Sequence, residues 1–172
     1  MNEVLQALKT RRSVRAYQTK QVEKELLDQV LEAGTYAPTG SGKQSPIIVA
    51  VQDPATVRQL SRMNAAVNGG SGDPFYGAPT VLVVLADKSR GTYMLDGASV
   101  ITTLLNAAHA VGLDSCWIHR AKEEFESDEG KTLLKKWGVT GDYEGVGHVI
   151  LGYGAVKPGE PAPRKSDYII KV

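Results

Sequence analysis

The sequence predicts an α+β fold in which helices surround a central mixed sheet. Apolar residues at helical spacing alternate with short β-branched runs, and no segment repeats. No Gly-x-Gly-x-x-Gly turn follows any of the strand-like runs, so a dinucleotide-binding parallel sheet is unsupported.

Each element has its own signal. Val4, Leu5 and Leu8 predict a short amphipathic helix ending near Arg11. Val22, Leu26, Leu27, Val30 and Leu31 recur at helical spacing and predict a helix over 22–34. Residues 37–46 read as a loop punctuated by Pro38, Gly40, Gly42 and Pro46. Ile47–Val51 and Val81–Leu85 read as buried strands, with a helix over 54–67 between them and a glycine-rich loop over 68–73. That loop suits a substrate lid or a simple turn equally.

The stretch from Met94 to Val111 predicts a helix with so little charge that most of its sides need cover, some of it from a partner subunit. Ser115–His119 reads as a strand entering a loop. Ser127 is a good N-cap, followed by Asp128 and Glu129, with Lys135 and Lys136 in the last turn and Gly138 beyond it. Val146–Leu151 predicts another strand. A Pro/Gly-rich link over 157–163 detaches the strand-like Asp167–Val172, which needs a sheet edge and finds one most simply on a second copy.

The chain has 172 residues, a size that suggests one domain with no need of metal or disulfide staples. Its 42% apolar and 23% charged residues are those of an ordinary globular protein, and a net charge of +1 provides no global field for nucleic acid. One cysteine, Cys116, rules out an internal disulfide and reads as a small buried hydrophobe. The N-terminal residues lack a signal-peptide pattern and no apolar run reaches the length of a membrane span, so a cytoplasmic location is expected.

Several motifs fail on inspection. Gly42-Lys43 resembles the end of a nucleotide phosphate loop, but Ala37 stands where the first glycine belongs and Gln44 where a Ser/Thr belongs. Gly69-Gly70-Ser71-Gly72-Asp73 lacks the last glycine of a nucleophile elbow. His109, His119 and His148 are isolated, so no metal-ligand spacing appears.

One constellation remains. Arg11, Arg12, Ser13 and Arg15 fall within five residues, just after a short helix. Guanidinium forks, a hydroxyl and backbone N–H groups suit a phosphate. Taken alone, such a segment reads first as a solvated basic turn, since charge runs usually just face water. Other segments accompany it in order: Ala37-Pro38-Thr39-Gly40-Ser41-Gly42-Lys43-Gln44-Ser45-Pro46, then Phe75-Tyr76-Gly77-Ala78-Pro79. Gly112-Leu113-Asp114-Ser115-Cys116-Trp117-Ile118-His119 follows, then Gly152-Tyr153-Gly154 and Pro163-Arg164-Lys165.

This order resembles the short members of the nitroreductase family of FMN-dependent enzymes, over nearly the whole chain. The resemblance implies a nitroreductase-like homodimer with FMN at the subunit interface and an exchanged C-terminal segment. It implies that Arg11, Arg12, Ser13 and Arg15 contact the flavin's phosphate, ribityl chain and pyrimidine edge, with Arg164 and Lys165 adding to the phosphate site. Pro38, Thr39, Gly40 and Gln44 match the loop that reaches the cofactor from the other subunit. Trp117, Ile118 and His119 match the strand end along the isoalloxazine ring, and Asn64 is a candidate for the flavin's polar edge. The loop departs from the family where Gly42 replaces an Asn and Gln44-Ser45-Pro46 replaces Gln-Pro-Trp, which alters ring contacts and leaves the phosphate grip untouched.

The activity implied is a ping-pong transfer of electrons from NAD(P)H through FMN to a small electrophile such as a nitroaromatic or quinone. Arg15 would offset charge developing at the pyrimidine edge. No dedicated general acid is expected, His119 being the one candidate. Non-catalytic FMN storage or sensing, dehalogenation and flavin chemistry are the alternatives.

Overall fold

The computed structural model describes residues 2–172. The element order is α1 (Glu3–Thr10), α2 (Lys24–Thr35), β1 (Pro46–Val51), α3 (Pro54–Val67), β2 (Thr80–Asp87), α4 (Tyr93–Ala110), β3 (Asp114–Ile118), α5 (Ala121–Glu126), α6 (Asp128–Lys136) and β4 (Tyr143–Gly152). Helix starts follow capping chemistry. The Asn2 side chain accepts from Val4 and Leu5 N–H, Asp53 from Thr56 N–H with Pro54 following it, and Ser127 from Gly130 N–H.

The four strands run in the order β1-β2-β4-β3, and every neighbouring pair is antiparallel. This corrects the expected mixed sheet. Helix α3 carries the chain back along β1, but residues 68–79 return it, so β2 begins beside the end of β1, with Val51 opposite Val81. A long return of this kind gives antiparallel pairing where a bare strand–helix–strand pattern suggests a parallel crossover. The only parallel element among the described residues is an isolated bridge between Ser13 and Ser115.

Both faces of the sheet are buried, which explains the continuous apolar run of β2. Val81, Val83 and Leu85 join one core with Val57, Leu60 and Met63 of α3 and Phe125 of α5. Leu82, Val84 and Ala86 join the other with Leu27 and Val30 of α2 and Ile101, Leu104 and Leu105 of α4. Helix α4 is covered on one side by its own chain, through α2 and the sheet. Its first turn exposes Leu95 strongly and Met94 in part.

Helix α5 was not foreseen in the sequence. It spans only six residues, too few for a periodic pattern to show. Asp167–Val172 forms no strand with its own chain, and Tyr168, Ile169, Ile170 and Val172 are all exposed. No helix among the described residues is long and apolar enough to cross a membrane.

Candidate active site

The Arg11–Arg15 segment leaves the C-terminus of α1 and lies along β3, the outer strand of the sheet. Val14 N–H donates to the Ser115 carbonyl at 3.1 Å, and Ser13 bridges Ser115. Val14 is 2% exposed and acts as the anchor, with the Tyr17 hydroxyl donating to its carbonyl at 2.9 Å. Burial pushes the Tyr17 phenol well above its ordinary range, helped by Cys116 and Asp114, so it stays a donor. The parallel bridge carries Arg15 towards the level of Trp117. One sheet edge thus brings together the arginine segment and Trp117, Ile118 and His119.

The three arginines are used differently. Arg12 Nη1 donates to the carbonyls of Lys9 and Arg11, both at 2.7 Å, so it closes the C-terminus of α1. Arg11 Nη1 is buried with no hydrogen-bond partner, and the Ser115 hydroxyl on the facing strand is likewise buried and unpaired. Arg15 is exposed. The end of α1 is the negative pole of its dipole, so an anion here is held by side chains and not by the helix. A buried guanidinium nitrogen without an acceptor fits a phosphate oxygen.

On the strand, alternation sorts the predicted residues. Cys116 and Ile118 point into the core shared with α3 and α5, so Ile118 offers a ligand only its backbone. Trp117 is 38% exposed and lies over Gly147 of β4, where a Cβ would fall 2.3 Å from the indole Nε1. His119 is exposed. Arg120 follows in the left-handed region (φ 79°) and opens α5.

Asn64 is turned inward. It is fully buried, and Nδ2 donates to the His119 carbonyl at 2.7 Å and to Glu124 Oε2 at 2.9 Å. Its Nδ2 thus holds the backbone of the strand end, and its Oδ1 is buried without a protein partner. Glu124 and His148, which complete this buried cluster, were missed in the sequence because nothing local marks two distant polar residues as neighbours.

The 37–46 loop lies at the opposite edge, before β1. Three strand spacings separate the edges, roughly 14 Å. Its backbone is tightly curled, with Ser41, Gly42 and Gln44 at positive φ. Gln44 N–H donates to Thr39 Oγ1 at 3.0 Å, and Thr39, Gln44 and Pro46 line a cavity of about 540 Å³. Pro38 is exposed.

Asp96, on the first turn of α4, pins this loop. It accepts from Gly40 N–H at 2.9 Å, Ser45 Oγ at 2.7 Å and Thr92 Oγ1 at 3.1 Å. A Cβ at Gly40 would fall 2.3 Å from Thr92 Oγ1, so a larger residue there would push the Thr92 hydroxyl off Asp96. Burial works against the ionised carboxylate, but these three hydrogen bonds outweigh it and hold the carboxyl below the usual carboxylate range. A depressed folded pKa contributes stability above the unfolded value, about 3.9, that is lost as pH falls through the folded one. Urea midpoints at pH 7 and pH 3 should therefore show a smaller acid loss in Asp96→Asn than in the wild type; equal losses would remove Asp96 from the acid response.

Arg164 and Lys165 stand apart from both edges in their contacts. Arg164 donates to the Ala162 carbonyl, and Lys165 pairs with Asp167 at 3.8 Å, all within the exposed tail. A cavity of about 950 Å³ lies between α3 and residues 70–79 and contains none of the predicted cofactor residues.

An antiparallel sheet sandwiched by helices, with an arginine-rich segment on one edge and a curled loop on the other, matches known proteins. The nitroreductase family model matches residues 8–153. The chain belongs to the nitroreductase family. A nitroreductase with bound FMN from Bacteroides fragilis is 30% identical, with 100% of each chain covered and a TM-score of 0.92. An FMN reductase [NAD(P)H] of Bacillus subtilis is 33% identical over 97 residues, 56% of this chain and 36% of its own length. A relative from Methanothermobacter thermautotrophicus is 29% identical over 119 residues, 67% of this chain. The match spans 60% of that relative's length.

Proposed function

We propose that the whole chain forms one FMN-binding unit of a homodimeric oxidoreductase, passing electrons from NAD(P)H to a small electrophile such as a nitroaromatic or quinone. The observation that carries this is the buried, unpartnered Arg11 Nη1 beside the edge that presents Trp117 and His119. Arg11 and Ser13 would hold the flavin phosphate and ribityl chain, with Arg15 at the pyrimidine edge and the Trp117–His119 strand end along the ring. When bound, the flavin supplies the two-electron chemistry.

A dimer accounts for two further facts. The second group of site residues, Pro38, Thr39, Gly40 and Gln44, sits on the far edge of its own sheet, so a second copy is the natural source of that loop. Val4, Leu5 and Leu8 on α1 and the apolar residues of the tail are exposed, an unusual load for a lone subunit. The same tail would bring Arg164 and Lys165 to the partner's phosphate site.

The test is direct. Protein incubated with FMN and freed of excess should be yellow, run as a dimer by light scattering, and bleach anaerobically with NADH or NADPH. A nitro compound or quinone should then restore the colour. Colourless protein would overturn the cofactor, and bound flavin that neither nucleotide reduces would point to storage or sensing instead.

A further inference from the structure

We infer that Asn64, Glu124 and His148 are positioning residues that fix the strand end at His119–Arg120 for the flavin before it binds. The inference rests on the FMN reading above. The three residues come from α3, α5 and β4, and their relative exposures are 0%, 1% and 0%. Asn64 Nδ2 donates to both the His119 carbonyl and Glu124 Oε2, and Glu124 Oε2 also meets His148 Nε2. The surroundings are aromatic, with Phe75 at 5.3 Å and Phe125 at 6.1 Å from the His148 ring.

Such a cluster is not a source of stability. Asn64 Oδ1, Glu124 Oε1 and His148 Nδ1 each lack a protein partner, and an apolar cluster would fill the same space at lower cost. What the cluster does is bracket one residue. Arg120 holds a left-handed conformation that side-chain-bearing residues rarely adopt. A strained residue persists only where its surroundings over-determine it. On its N-terminal side the Asn64 amide holds the His119 carbonyl. On its C-terminal side the Glu124 N–H donates to the Arg120 carbonyl at 3.1 Å. That second bond is the first backbone bond of α5, and the Glu124 side chain, bonded to Asn64 and fixed by His148 from the central strand, ties this turn of α5 to the residue that holds the His119 carbonyl. The turn directly follows Trp117 and Ile118 on the edge shared with Arg11–Arg15, so its backbone orientation sets how that edge meets the flavin ring.

The cluster's hydrogen bonds go to the strand end and not to the arginine segment, so its loss should separate affinity from rate. In Asn64→Ala, the FMN dissociation constant should stay within threefold of the wild type. Anaerobic flavin reduction by NAD(P)H in single turnovers should slow tenfold or more, with a shift in the bound-flavin absorption band. Glu124→Leu should behave alike, whereas Glu124→Gln keeps an acceptor for Asn64 and should recover most of the rate. A wild type that fails to bind FMN overturns the FMN reading before any variant is made. A wild type that reduces FMN normally beside an equally fast, spectrally unchanged Asn64→Ala overturns this inference alone. If Asn64→Ala does not fold, amide exchange in flavin-free wild type decides. Residues 118–121 should exchange much more slowly than residues 68–73, and equal exchange would overturn the inference.

Discussion

Arg11→Ala should weaken FMN binding by tenfold or more while leaving the flavin-free protein as stable as before, or slightly more so. Both halves follow from one buried nitrogen. In the free chain Arg11 Nη1 is out of water without an acceptor, a state that costs folding free energy. A phosphate oxygen in that position would receive a charge-assisted hydrogen bond, worth about 1.5–3 kcal/mol. Truncation removes the cost and the gain together, so stability and affinity should move in opposite directions. Arg12→Ala is the control. Its guanidinium already caps the Lys9 and Arg11 carbonyls, so its loss should fray α1 more than it weakens binding. Fluorescence titration of FMN, with urea midpoints on the flavin-free proteins, reads both quantities. Unchanged affinity in Arg11→Ala would return the segment to a solvated basic turn.

Gly130→Ala should destabilise the fold by about 3 kcal/mol or more, lowering Tm by roughly 6–12 °C for a chain of this size. Helix propensity alone points the other way, since alanine is favoured over glycine inside a helix by about 1 kcal/mol. Space overrides it. A Cβ at 130 would lie 2.0 Å from the Glu124 carbonyl oxygen and 2.6 Å from the Phe125 Cα, both backbone atoms of α5. Neither can swing aside as a side-chain tip would, so α5 must shift and take Glu124 with it. The Ser127 cap is involved too, because its hydroxyl spans the Glu124 carbonyl and the Gly130 N–H. A thermal midpoint equal to or above the wild type would show that the α5–α6 contact yields without cost.

The regular elements were legible because their signals are local. Asp53-Pro54 announces α3, Ser127 announces α6, and the β-branched run after Pro79 can be little but a buried strand. The direction of the strands was not legible. Parallel or antiparallel pairing turns on how far residues 68–79 travel, and a loop carries no periodicity from which to read that distance. Helix α5 escaped for a related reason, being short and opened by an arginine in a backbone region where glycine would have drawn attention.

The site divides in the same way. The residue types of Arg11–Arg15 sufficed to suggest an anion, because guanidinium and hydroxyl groups carry their chemistry with them. How the three arginines differ was a tertiary matter, since Arg12 turns back on α1 while Arg11 Nη1 is buried without a partner. Asn64 was a candidate for the flavin's polar edge, and nothing in the sequence singled out Asp96. The fold puts the Nδ2 of the first on the His119 carbonyl and makes the second the pin of the 37–46 loop.

By itself, then, the sequence determined five of the six helices and the four strands of the sheet, and it suggested an anionic ligand, since propensity, capping and functional-group chemistry act over a few neighbouring residues. Only the tertiary structure decided that the two groups of site residues stand on opposite edges of one antiparallel sheet, and which polar side chains face each other in the interior. Those outcomes depend on contacts between residues far apart in the chain, and no local pattern encodes the partner of a buried carboxylate.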